Sequence, residues 1–141
     1  MIIGADFDLI DHLWDNTVPL NDRLECIRSM YVVYSDFVSK SDVETMENCF
    51  YIWWDLMGDS FWCQSDFFDH SGINKGKSSM KVERGEEISR LDDNSRALLD
   101  AMFETLQRSL DLPDGRTQQF ALHGLGHLHH PGVRELVQKY I

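Results

Sequence analysis

The stretch from Arg116 to Ile141 constrains the fold more tightly than any other part of this chain. Ala121, Leu122, Leu125 and Leu128 recur at i, i+1, i+4 and i+7, which puts them on one stripe of an α-helix, and Asp114 is placed to cap its first turn. Gly124 and Gly126 fall inside that helix, where each costs roughly 1 kcal/mol relative to alanine. The close approach of a neighbouring helix is the expected compensation. Pro131 then suits the first turn of a second helix, because its missing N–H would go unbonded there in any case. Val133, Leu136, Val137 and Tyr140 supply that helix with an apolar face. The stretch therefore predicts two short helices packed back to back.

The run Arg116, Ala121, Leu122, Leu125, Gly126, followed by Pro131, Val133, Leu136 and Val137, resembles the HEAT-like repeat family over about one repeat. His130 stands before Pro131 where the family usually has aspartate. The resemblance implies an α-solenoid or a compact helical bundle. It also implies a binding role, although the family includes enzymes.

The rest of the chain carries the same period. Phe7, Leu9, Ile10, Leu13 and Trp14 predict a short helix over 6–15, which Thr17-Val18-Pro19 breaks. Leu24, Ile27, Tyr31, Tyr34 and Val38 predict a longer one over 20–38. Ser41 with Glu44 forms a capping box, so a third helix is expected from about Asp42, with Val43, Met46, Phe50, Trp53 and Met57 as its stripe and Gly58 as its stop. Beyond it the helical period fades, and the glycine- and serine-containing run at about 70–86 reads as a mobile loop. Leu99, Met102, Leu106 and Leu110 mark a helix over 94–110 with caps at 92–95. The expectation is a single all-α domain over 1–141, about six helices in antiparallel pairs.

Composition sets what such a domain can bind. A chain of 141 residues with 43% hydrophobic and 26% charged residues buries a sizeable core without a metal or disulfide staple. Cys26, Cys49 and Cys63 show no CxxC spacing and read as reduced, packed thiols. No apolar run reaches membrane-span length and no signal-peptide pattern opens the chain, so a cytoplasmic location is expected. The net charge of −11 disfavours nucleic acid and anionic membranes as partners. Residues 1–60 hold twelve acids against Lys40, Arg23 and Arg28, an acidic half suited to a basic protein.

The candidates for chemistry gather near the C-terminus. His123 and His127 are four apart, share a helix face, and with Asp55 offer three ligands for zinc or a similar ion. The glutamate of H-E-x-x-H, the base beside a metal-bound water, is missing from this motif. The expected role of His127 and His130 is instead structural, bonding orphan backbone carbonyls near a helix junction, with His130 capping the last helix. Asp55 follows Trp53 and Trp54 on an apolar helix and, if buried, needs Arg116 or a C-terminal histidine as partner. Trp53 and Trp54 lie ~100° apart on a helix, so one of them is expected either at the surface as an interface anchor or half-buried under the 59–70 segment. Gly72 to Ser78 has glycine spacing one residue short of a phosphate loop, and no strand precedes it. The sequence thus points to a cofactor-free, immunity-like or scaffolding protein that binds another protein, with metal-dependent hydrolysis through His123, His127 and Asp55 as the alternative.

Overall fold

A computed structural model of the chain describes residues 8–40, 47–64 and 88–141. The capping box at Ser41 and Glu44, the positions Phe7, Val43 and Met46, the glycine-rich run from Gly72 and the loop at 70–86 lie outside the described residues.

The described residues form six α-helices and no strand, the all-α class expected. They are α1 (Asp8–Trp14), α2 (Leu20–Val32), α3 (Glu47–Gln64), α4 (Asp93–Leu110), α5 (Gly115–Leu128) and α6 (Val133–Tyr140). None of these helices is long and apolar enough to cross a membrane.

Two helix starts have a local cause in a capping aspartate. Asp92 accepts a hydrogen bond from the Ser95 N–H at 2.6 Å and starts α4. Asp114 accepts from both the N–H and the hydroxyl of Thr117, at 2.9 and 2.8 Å, and starts α5 as its sequence position implied. The chain after α2 does not stop but loosens into a π turn over Val33–Phe37 and a 3-10 turn over Val38–Lys40. Through that change Ile27, Met30, Tyr34 and Val38 stay buried. The Tyr34 hydroxyl donates to the Phe50 carbonyl at 3.1 Å, and burial pushes its pKa well above the ordinary phenol value.

Helix α3 departs from expectation at Gly58, which does not end it. The helix runs on to Gln64 with Gly58 buried inside it. The core stripe is also shifted: Trp54, Met57 and Phe61 are the buried side chains, while Phe50 and Trp53 are only partly covered. Residues three and four apart still define the stripe, but tertiary contact decides which of two adjacent tryptophans it includes.

Helix α4 is the centre of the molecule. Leu98, Leu99, Ala101, Met102, Leu106 and Leu110 are buried on it together with Thr105 and Ser109. The two hydroxyls bond back to the carbonyls of Ala101 and Thr105, at 2.7 and 2.8 Å, so neither is stranded in the core. The helices meet in a regular order. α1 packs on α3 and α3 on α5, α2 packs on α4, and α4 and α5 also pack on each other.

The tail departs from the expected tight hairpin. α6 touches α5 only lightly and has no buried residue. Val133 and Leu136 lean against the core, but Tyr140, expected on the buried face, is exposed. Pro131 and Gly132 form the turn before the helix rather than its first turn. Cys26, expected packed, is an exposed free thiol.

Candidate functional site

The contact between α3 and α5 is set by two glycines. A Cβ on Gly124 would lie 2.6 Å from Trp54 Cβ, and one on Gly58 would lie 3.1 Å from the His127 carbonyl oxygen. Without side chains at these positions the helices close up, as expected for Gly124, although the neighbour is a side chain of α3 and not the backbone of α6. Gly126 differs from this expectation, because it is exposed and has no neighbouring atom within 4 Å of its Cβ position.

This close approach brings side chains from both helices together. Tyr51, Asp55 and Asp59 recur every four residues along α3, and His123 and His127 do the same along α5 on either side of Gly124. His123 Nε2 donates to Asp55 Oδ2 at 2.9 Å and lies equally close to Oδ1. His127 Nε2 is 3.6 Å from Asp55 Oδ1, and its Nδ1 is 3.9 Å from Asp59 Oδ1. The His123 ring stacks on Tyr51, with centroids 3.9 Å apart and planes 22° from parallel, which fixes the imidazole plane. Asp55 Oδ1 is shut off from solvent and accepts no hydrogen bond. Its distance to His123 Nε2 is short, but the N–H is directed at the other oxygen.

Asp55 is therefore partnered by a C-terminal histidine, one of the two options the sequence left open. Arg116, the other option, turns away: its Nη2 donates to the Val38 carbonyl at 3.4 Å and its Nε is 3.6 Å from Asp114. Trp54 is 2% exposed and is not a surface anchor; Trp53 is half-buried. The orphan carbonyl at the end of α5 is bonded not by His127 but by Trp62, whose Nε1 donates to Leu128 O at 3.1 Å.

His130, expected to cap the last helix, stands apart from the α3–α5 cluster and instead ties down the turn ahead of that helix, which has no side-chain cap. Its Nδ1 accepts from the Gly132 N–H at 3.0 Å, its Nε2 donates to Asp100 Oδ1 at 2.9 Å, and its ring stacks on Phe103. His129 takes the left-handed conformation at φ 55° that closes α5, a position more often held by glycine.

Sequence reading missed Tyr51 and Asp59 in the cluster. The available signal was their i−4 and i+4 spacing around Asp55, which mirrors the spacing of His123 and His127. It also missed Arg23, which is 3% exposed and donates to the Leu13 carbonyl at 3.4 Å with its Nε unpartnered. An arginine in an acidic helix carries no sequence mark of burial. Compared with protein-family models, with curated proteins and with solved structures, the chain matches none.

Proposed function

We infer that this chain is a small acidic HEAT-like binding module that docks a basic protein surface, in the manner of an immunity-type inhibitor or scaffold. The observation that carries the reading is the outward face of α2. Asp22, Glu25, Ser29, Val32 and Asp36 follow one another at helical spacing on the side opposite the buried Arg23, Ile27 and Met30, and all five are partly or fully open to solvent. At the end of this face Val32 and, in the π turn beyond it, Phe37 are 52% and 47% exposed. A surface depression of about 460 Å³, lined by Asn21, Glu25, Arg28 and Ser29, lies on the same face.

Acids and exposed apolar groups interleaved along this face suit a partner that is basic and amphipathic. The net charge of −11 favours the same partner through long-range attraction. The order of helix contacts supports the repeat reading. α2 packs on α4 and α3 on α5, while α4 and α5 also pack on each other, as when one helical hairpin, α4–α5, stacks on the pair before it with like helices side by side. Such stacking leaves the outer helix of each pair free to contact a partner.

The experiment is affinity capture from a lysate of the source organism, followed by binding measurements with the purified partner. A basic partner is expected whose affinity falls as salt rises and is lost in the triple variant Asp22→Lys, Glu25→Lys, Phe37→Ala. Saturable binding that ignores both salt and these three changes would refute the α2 face, and so would the lack of any saturable partner.

A further inference from the structure

We propose that Asp55, His123 and His127 form a three-ligand site for a divalent transition-metal ion of the zinc type, with the remaining position left to water. The inference stands apart from the α2 face and draws on different residues.

Three observations meet at this point. First, among the described residues these three bring one ligand atom each to within 4.8 Å of one another. A tetrahedral zinc ion with bonds of about 2.0–2.1 Å sets its ligand atoms ~3.3 Å apart. The separations here, 2.9 Å from His123 Nε2 to Asp55 and 3.6 Å from His127 Nε2 to Asp55, lie on either side of that value. The third separation, between the two imidazole nitrogens, is within 4.8 Å, so the three groups stand close enough to turn toward one ion.

Second, Asp55 Oδ1 is a carboxylate oxygen closed to solvent with no hydrogen-bond donor on it. Leaving a charged acceptor unsatisfied costs more than leaving a neutral one, so the position calls for a cation or a donor. A donor is not supplied by His123, whose proton goes to Oδ2, nor by His127, whose Nε2 stops 3.6 Å short. A metal ion between the two imidazoles and Oδ1 would supply the missing cation, in exchange for the His123 Nε2 proton, which would move to Nδ1 or to solvent as the bond to Oδ2 is given up.

Third, the surroundings fit the outer contacts that orient metal-binding histidines. When His127 Nε2 binds an ion its proton must sit on Nδ1, the nitrogen that faces the Asp59 carboxylate at 3.9 Å. The Tyr51 ring holds His123 in plane. Two imidazoles with one carboxylate favour zinc, cobalt or nickel over calcium and magnesium, which prefer all-oxygen sites.

The test uses the full chain after chelator treatment and dialysis, titrated with Co²⁺ and then with competing Zn²⁺. The expected result is one Co²⁺ per chain with the strong visible absorption of a low-coordinate ion, displaced by one Zn²⁺. His127→Gln is expected to weaken binding on the order of a hundredfold or more, since loss of an outer partner alone typically costs 10–100-fold. Asp59→Asn should keep the one-to-one stoichiometry and weaken binding by roughly that 10–100-fold. His12→Gln, an exposed histidine on α1, should change nothing. His127 and Asp59 are the more exposed members of the cluster, so these variants decide the matter even if changes at Asp55 or His123 unfold the chain. No saturable uptake would overturn the proposal. Uptake that is equally strong in His127→Gln and Asp59→Asn would also overturn it and mean an adventitious ion only.

Discussion

Two histidine–aspartate pairs of nearly the same geometry stand in this molecule, one between α3 and α5 and one at the corner between α5 and α6. In each, an imidazole Nε2 lies 2.9 Å from a carboxylate and the ring stacks on an aromatic neighbour, Tyr51 at 3.9 Å for His123 and Phe103 at 4.0 Å for His130. What differs is what remains unbonded. His130 also takes the Gly132 N–H, so both of its nitrogens are used and the group ties the turn before α6 to α4. At the other pair a second imidazole stands beside a sealed carboxylate oxygen that has no hydrogen bond. Pair distance therefore says little about role, whereas the count of unmet bonding positions separates a finished structural contact from one with room for a ligand.

The largest expected effect tests that distinction directly. At a free zinc concentration a thousand times Kd, binding to the folded state alone stabilises it by ~4.1 kcal/mol. Thermal unfolding should show this rise in the wild type and equally in His130→Ala, but not in His127→Gln. A rise lost in His130→Ala and kept in His127→Gln would reverse the roles assigned to the two pairs.

Next in size is the close contact on which the α3–α5 site depends. Gly124→Ala places a methyl group 2.6 Å from Trp54 Cβ and 3.1 Å from Leu106 Cδ2, too near for either to remain in place. Overpacking of this kind costs ~1–3 kcal/mol, read as a lower urea midpoint, and the same shift should weaken metal binding by moving α5 away from Asp55. Unchanged stability would mean that the helices are not in this contact. His130→Ala, by contrast, removes two hydrogen bonds at the turn before α6 and should cost about 0.5–1.5 kcal/mol for each, with no change in metal affinity.

How much of this was legible in the sequence depends on whether the cause was local. The caps at Asp92 and Asp114 and the Leu99 to Leu110 stripe follow from neighbours within a turn or two, and were readable there, whereas His130 does not cap the last helix but bonds the Gly132 N–H ahead of it and reaches across to Asp100. The partnership of Asp55 with a C-terminal histidine was readable as a need, because a half-buried carboxylate requires a donor, but not as an address. Gly58 was misread because a glycine near an apolar run marks a helix end in local terms, while its actual cause is the His127 backbone arriving from elsewhere in the chain. The same holds for Trp53 and Trp54: one turn of helix presents both, and only the position of α5 selects Trp54 for burial. Burial of Arg23 and the π turn after Val32 are also decided by packing, for which a single sequence has no mark.

Acid offers a smaller test that sets the caps apart from the metal cluster. The Ser95 N–H holds the Asp92 carboxyl below its ordinary pKa; burial raises that of Asp114, but the Thr117 hydrogen bonds outweigh it and the net shift is downward. A carboxyl with a depressed folded-state pKa contributes stability that is complete above its unfolded value and is lost as pH falls through the folded one. Asp92→Ala should therefore cost about 1 kcal/mol at neutral pH. That difference from the wild type should shrink below pH ~4, the ordinary carboxylate range. A gap that stays constant down to pH 2 would mean that the charged cap is not what starts α4.

The least of these effects has the opposite sign and completes the contrast along α5. Gly126 is two residues from Gly124 in the same helix, yet it faces outward, with no heavy atom near the position a Cβ would take. The crowding that makes Gly124 necessary does not reach it, so only the backbone-entropy term remains, and alanine lowers that by up to about 1 kcal/mol. Gly126→Ala should raise the melting temperature and leave metal affinity unchanged. A loss of stability comparable to that of Gly124→Ala would show that this face of α5 is covered after all, by α6 or by a second copy of the chain, and a concentration-dependent melting temperature would tell those two apart.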